Sequence, residues 1–564
     1  MSFPKSLQIP DKSTSLIPKT TTSNATQPTT AITYENASSE IQSIRGSSPY
    51  PPSTPAPSSR QLDDSSIISD IGLSDYTDDL NNLPSFSFDN ITRTKKTNTM
   101  TFTYSDFFHQ NNNTLTNEEF YDKYIRISKS SDDDEFHHKL KHFFIFSSAG
   151  KPIYSMNGSD DVILGYMGIL TTIISSFQEN FHRDLQVIEF GQGMKIVAVN
   201  KSPIILIGIS KIEFEHASSI ELQLDTLYCY LLSVLSKSAI DKHFNNRLNY
   251  DLRRILSPLD FENLDKLCMN LTYGKGNDDD DTDIRAGFEL YVSEILLASS
   301  RQSTKIRHTL RTKLNRIVST KNDEVLFSLL VSQDDKILNY VHPKQHNIPN
   351  KDLNILLFIL NSLPKHKQDK EDLWMPLCMS NFNDHGFLYI FVRRWNNLTL
   401  ILISGNKNAF ESLKQTADEL FVKLETKQEL MQKLTIELST PLNIEIPLIF
   451  KHFIYKDLNL NQFIMSELPS DDHSGFSFIK CYNELKFNQA KIINFDDNLN
   501  YKKLTYFQYK TMIGFMLTDM SYEFYCIIEN SYDGKQLQSK KIIEISLQII
   551  KWCKKNHARL FVTI

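Results

Sequence analysis

The sequence predicts an α/β protein of three similar domains behind a disordered N-terminal arm. Three observations carry that expectation: a low-complexity start, an abrupt onset of continuous apolar runs near residue 141, and an order of strands and helices that recurs along the chain. At 564 residues the chain has room for three or four domains of roughly 150 residues each. A single small binding module is excluded.

The arm comes first. In residues 1–60, Ser, Thr and Pro fill 31 positions and include nine of the 20 prolines, too little apolar surface to offset the entropy of ordering. Low apolar density continues to about residue 134, with a weak interruption at Thr101–Phe108. It ends in Asp132-Asp133-Asp134-Glu135, read as a solvated boundary. The arm, residues 1–134, carries 17 of the 67 acidic and 11 of the 61 basic side chains, which leaves 50 of each for the rest. A neutral body gives no long-range attraction to nucleic acid, so no nucleic-acid partner is expected. Phosphorylation within this Ser/Thr-rich arm would change its charge locally.

The first domain, residues 135–272, opens with Lys141-His142-Phe143-Phe144-Ile145-Phe146, a run typical of a strand buried on both faces. Ser148-Ala149-Gly150-Lys151-Pro152 turns it into Ile153-Tyr154-Ser155. Asp160-Asp161 then places negative charge where a helix N-terminus favours it. The helix that follows, Val162–Phe177, is apolar nearly all round. Its 16 residues include two Thr, two Ser and two Gly, short of the about 20 apolar residues that span a bilayer, so burial within protein is expected. Extended segments follow at Asp184–Glu189, Lys195–Asn200 and Pro203–Ser210. A long helix closes the domain. Ser218 and Glu221 have capping-box spacing, and Ile220, Leu224, Leu227, Leu231 and Leu235 make one stripe against a sheet.

Residues 273–320 read as a linker and helix, with Asp278–Asp281 in a solvated loop. Asp283 stands where a calcium loop needs glycine. The element order then repeats in residues 321–438. Strands fall at Glu324–Ser332 and Lys336–Val341, a helix at Lys351–Leu363, and strands at Asp372–Ser380, Gly386–Arg393 and Leu398–Ser404. Trp395-Asn396-Asn397 reads as a tight hairpin, and one long helix runs from Asn408 to about Glu437. The third copy, residues 439–564, is less regular. Strands near Pro447–Tyr455 and Asn461–Ser466 precede an ill-defined middle, a strand pair at Thr511–Thr518 and Tyr522–Asn530, and a helix at Gln536–His557. Ile542, Ile545, Ile549 and Trp552 form that helix's apolar stripe.

Conventional catalysis finds no support. No P-loop, nucleophile elbow or H-E-x-x-H motif occurs, and Gly191-Gln-Gly193 lacks the rest of a dinucleotide fingerprint. The six cysteines, Cys229, Cys268, Cys378, Cys481, Cys526 and Cys553, form no C-x-x-C pair, so a reducing compartment without structural zinc is expected. His137-His138, His216 and His473 have no partner at ligand spacing. No cofactor and no metal are expected, and the N-terminus shows neither a signal-peptide core nor a myristoylation glycine.

The segment from Lys141 to Ser155 closely resembles the opening of the first longin domain in the vacuolar fusion protein Mon-one family. Leu227-Tyr228-Cys229-Tyr230-Leu231-Leu232-Ser233-Val234-Leu235 and Tyr250-Asp251-Leu252-Arg253-Arg254-Ile255-Leu256 resemble later motifs of that domain. His452-Phe453-Ile454-Tyr455-Lys456, Glu523-Phe524-Tyr525-Cys526 and Ile550-Lys551-Trp552-Cys553-Lys554-Lys555 follow in the expected order, and the middle domain matches least. The resemblance implies three longin domains, each an antiparallel five-stranded sheet flanked by helices. It implies a heterodimer with a similar tri-longin Ccz-one-like protein, acting as guanine-nucleotide exchange factor for the late-endosomal and vacuolar Rab GTPase. Such a factor needs no nucleophile or base, because it works by binding the nucleotide-free GTPase best. It implies peripheral attachment to late endosomes, multivesicular bodies, autophagosomes and vacuoles.

In that family the GTPase meets a surface built by both first longin domains, so Tyr166, Leu170, Ile173 and Ile196 are the candidate interface residues. For anionic and phosphoinositide membranes the candidates are Arg393 and Arg394 at a strand end, and Lys551, Lys554 and Lys555 on the last helix. A non-catalytic longin tether or adaptor in vesicle traffic is the rival reading.

Overall fold

The computed structural model describes residues 116–562, leaving out 192, 275–280, 364–371, 396, 441, 443, 445, 447–449, 469–473, 494–502, 510–511 and 530–538. Folded structure starts earlier than the composition suggests. Asn117–Phe120 is helical and runs into a π turn at Tyr121–Ile125, with Phe120, Tyr124 and Ile125 buried. The boundary expected at 134 is therefore corrected to about 116: these aromatic residues are too few to lift the local apolar density, yet they insert into a core made elsewhere. The acidic run begins a short helix, Asp133–His138, where the Asp132 side chain accepts from the Asp134 N–H. Thr101–Phe108 lies outside the described residues.

In the first domain, β1 (Lys141–Ser147) is buried along its whole length. It pairs antiparallel with β2 (Pro152–Ser155). β3 (Val187–Glu189), β4 (Lys195–Lys201) and β5 (Ile204–Ser210) complete a sheet of order β2-β1-β5-β4-β3. The helix Asp160–Phe181 lays Ile163, Met167, Leu170 and Ile174 on Phe144, Phe146, Ala198 and Ile207. On the other face the helix Ala217–Leu235 sets its expected stripe against Phe143, Ile145 and Leu206. Gly208 lets it approach: a Cβ there would stand 2.6 Å from Ile220 Cγ2.

The expected capping box does not form. The helix starts at Ala217 after His216, which makes no side-chain cap. Tertiary contacts set its start, because the adjacent Glu215 carboxylate is fixed in the core by Lys141 Nζ at 2.6 Å and by the Ser210 hydroxyl at 2.5 Å. Nearby, His142 is buried against Phe136, with ring centroids 4.2 Å apart.

The stretch read as a linker is core. The helix Asp281–Tyr291 continues as a π turn, Val292–Leu296, and Phe288, Tyr291, Val292, Ile295 and Leu296 are all buried. Of the acidic loop residues, 278–280 lie outside the described residues, and Asp281 opens the helix. β6 (Arg301–Gln302) and the helix His308–Val318 follow.

The second domain repeats the first. β7 (Phe327–Ser332), β8 (Ile337–Val341), the helix Asn350–Ser362, β9 (Asp372–Leu377), β10 (Leu388–Trp395) and β11 (Leu398–Ser404) give the order β8-β7-β11-β10-β9. The single long helix expected to 437 is two, Phe410–Glu425 and Gln428–Ser439. Leu424 and Leu430 are both buried, and in an unbroken helix their six-residue spacing would point them about 120° apart. The break lets both face the core.

The third domain contains β12 (Phe450–Asp457), β13 (Gln462–Met465), a helix Ser474–Ile493 and then β14 (Lys503–Tyr509), β15 (Met512–Asp519) and β16 (Tyr522–Glu529). A last helix spans Ser539–Lys555. The ill-defined middle of the sequence thus holds a helix and a strand. Its sheet has the order β14-β15-β16-β12-β13-β6, six strands rather than the expected five, because β6 adds in parallel to β13. One continuous core contains a face of every sheet, including Phe143 and Ile145, Leu329 and Val331, and Ile454 and Tyr525.

Candidate partner-binding face of the first domain

From Val162 to Gln178 the helix Asp160–Phe181 carries no charged residue. Its N-terminus is held by charge: Asp160 and Asp161 occupy the first turn, and Arg253 Nη1 reaches Asp160 Oδ2 at 3.0 Å. Only one stripe of this helix is buried, which corrects the expectation of a helix enclosed in protein. The composition is apolar all round, but a single sheet face covers one side. Leu164 is 54% exposed, Ile169 60%, Ile173 38% and Phe181 63%.

Tyr166, Ile169, Ile173 and Phe177, spaced three, four and four, make a flank beside the buried stripe. Between them the outward surface is small, and nothing lies within 4 Å of a Cβ built on Gly165 or Gly168. Phe177 packs its ring 4.7 Å from that of Phe181. In the same sheet β3 has no outer neighbour among the described residues, and Val187 and Phe190 are exposed at that edge. By length and a mean hydropathy of 1.2 this helix passes as a membrane span. Crossing a bilayer would strip Ile163, Met167, Leu170 and Ile174 from the sheet. The geometry suits instead a dry protein surface laid along a helix and an open sheet edge.

The candidate interface residues divide. Ile173 lies on the exposed flank. Tyr166 stands half-buried beside it, its hydroxyl 2.6 Å from His137 Nε2 and its ring stacked 4.9 Å from Phe136. Burial and the nearby Asp133 push its phenol up from the ordinary value. Leu170, on the helix's buried stripe, and Ile196, on β4 beneath it, are core residues. They support the surface without touching what sits on it. Sequence reasoning missed Leu164, Ile169, Phe181, Val187 and Phe190; the three-four-four spacing of uncharged residues was the available signal for Ile169.

The membrane candidates divide too. Arg393 is corrected: it is buried, and its guanidinium is bound by Asp372 at 2.5 and 2.8 Å and by Asp418. Those carboxylates hold its pKa above the usual arginine value. A side chain so enclosed presents no charge to a headgroup. Arg394, on the opposite face of β10, is half-buried and donates to the Leu360 carbonyl at 2.8 Å. Lys551, Lys554 and Lys555 are exposed on the last helix, with Lys554 Nζ 4.5 Å from the centre of the Tyr522 ring. The six cysteines are free and buried. His473 lies outside the described residues.

Comparison with known proteins places these observations in a family. Residues 141–267 match the first longin domain of FUZ, MON1 and HPS1, and residues 323–422 match the second. The chain is 65% identical to the vacuolar fusion protein MON1 of Candida albicans over the full length of both. It is 30% identical to that of Yarrowia lipolytica, covering 76% of this chain and 75% of the relative. It is 29% identical to that of Saccharomyces cerevisiae, covering 75% and 71%.

Proposed function

Because the chain belongs to the MON1 family of vacuolar fusion proteins, we propose that it is one half of a heterodimeric guanine-nucleotide exchange factor for the late-endosomal and vacuolar Rab GTPase. Its other half is a Ccz-one-like protein of three longin domains. The observation that carries this reading is the uncharged outer face of the helix Asp160–Phe181 and the open β3 edge, in the domain that the family resemblance assigns to pairing and GTPase contact.

Exchange here forms and breaks no covalent bond. A surface complementary to the nucleotide-free GTPase draws the population toward open switch loops, and the Mg²⁺ and nucleotide contacts that those loops supply are lost with them. Ile169, Ile173 and Phe181 supply apolar contact, while Leu170 and Ile196 pack the helix onto the sheet. On the membrane, Lys551, Lys554 and Lys555 with Arg394 meet anionic and phosphoinositide headgroups, each worth about 1 kcal/mol near a charged surface. The protein works as a peripheral component of late endosomes, multivesicular bodies, autophagosomes and vacuoles.

Release of a fluorescent nucleotide from a panel of Rab GTPases tests this, with the chain alone and then with its partner. Substoichiometric acceleration of one late-endosomal or vacuolar Rab, dependent on the partner, is the expected result. A stable complex that binds such a Rab without accelerating release is a tether or adaptor instead.

A further inference from the structure

Among the described residues, three arginines with buried side chains separate by what they pair with. Arg393 has its two carboxylates. Arg311 donates to the Leu338, Thr304 and Arg559 carbonyls at 2.7, 3.1 and 3.4 Å. Arg301, on β6, has neither. It is 5% exposed, its Nε meets no acceptor, and its guanidinium sits 5.6 Å from the Tyr340 ring centre. Burial pushes it down from the ordinary value to about 10, against a smaller upward pull from Tyr340. A buried cation without a counter-charge is costly, and sequences rarely keep one without a partner.

Arg301 lines a cavity of about 300 Å³ between the first domain, the central helix and the second domain. Lys266 and Asn270 reach it from the helix Pro258–Tyr273, and Asn354 from the helix Asn350–Ser362. Asn270 Oδ1 is buried without a donor, so an unmet acceptor belongs to the same wall as the unmet guanidinium. We propose that this cavity binds a small organic anion whose single carboxylate or phosphate group pairs with Arg301. Glu289, Asp334 and Asp335 also line it, with Glu289 Oε1 3.5 Å from Lys336 Nζ, and their charge disfavours a polyanion. A ligand with hydroxyls or an amine at its other end fits both sets of groups, and the volume lies at the small end of ligand pockets. Since the walls come from two domains, the ligand joins them.

Isothermal titration of the full chain at constant ionic strength tests this with glutamate, glycerol 3-phosphate and inorganic phosphate as probes. Saturable binding of at least one probe is expected. Arg301→Met is expected to weaken it at least tenfold, and Arg316→Met, exposed and outside the cavity, to leave it unchanged. Preference for glutamate or for glycerol 3-phosphate assigns the anionic group. Should Arg301→Met fail to fold, Arg301→Lys keeps the charge and loses the fork geometry, with a several-fold weakening expected. Absence of saturable binding by all three probes, or binding that survives the Arg301 substitutions undiminished, overturns the proposal.

Discussion

Replacing Ile169 and Ile173 by Glu tests the proposed partner face directly. Fully burying an aliphatic side chain is worth about 1.5–3 kcal/mol. Ile169 is 60% exposed and Ile173 38%, so covering both removes from water the equivalent of about one whole aliphatic side chain, or about 2 kcal/mol. At 1.4 kcal/mol per factor of ten, the double variant should bind the partner about 30-fold more weakly, before any cost of burying the new carboxylates. The fold should survive. Glu has the better helix propensity, the buried stripe is untouched, and surface changes usually stay within about 0.5 kcal/mol. Titration of labelled partner reads the affinity, and nucleotide release at limiting partner reads the consequence. Undiminished pairing and exchange by a normally folded Ile169→Glu/Ile173→Glu chain would refute the reasoning and remove this face as the seat of either partner.

Other outcomes follow from buried groups. Burial depresses the His142 pKa from 6.5 to about 3, so the unfolded chain binds a proton between those values that the folded chain refuses. Stability is therefore lost as pH falls below 6.5, by about 2 kcal/mol at pH 5. His142→Phe should lose about 2 kcal/mol less than the parent between pH 7.5 and 5.0 in urea unfolding; an equal loss contradicts the assignment. Arg393→Leu should destabilise the second domain by about 3 kcal/mol by stranding the largely buried Asp372, Asp418 being exposed to water, and it should leave liposome binding by the folded protein unchanged. A chain lacking residues 1–115 should melt like the parent. One lacking 1–134 also loses buried Phe120, Tyr124 and Ile125, about 5 kcal/mol of apolar burial; equal melting of the two truncations would show that those residues do not hold the core.

Much of the architecture is legible because its signals are local. β1 reads as a buried strand from the six residues Lys141–Phe146, and the stripe from Ile220 to Leu235 reads as a helix against a sheet. The recurrence of strand, strand, helix and three strands follows from such segments. What stays hidden depends on distant partners. Nothing near Ser218 shows that Lys141 fixes Glu215 and with it the helix start. Arg393 looks like a surface charge until Asp372 on β9 and Asp418 on the helix Phe410–Glu425 bind it. The apolar composition of Val162–Phe177 says what the helix is made of. It does not say how many neighbours exist to cover it.

The two-residue strand β6 lies beside β13, and Ile306 N donates to the Arg559 carbonyl at 2.9 Å. The chain leaves the third sheet at Gln302 before that sheet's other strands have been made, builds the second domain, and then returns. In effect the second domain is an insertion into a clasp whose jaws are separated by about 150 residues of chain. Cleaving the peptide between those jaws need not release the C-terminal piece, since β6 and the shared core still grip it. For the same reason a C-terminal fragment starting at 439 begins life with one edge of its sheet bare. Longer-range closure of this kind ties completion of the third sheet to what was synthesised first.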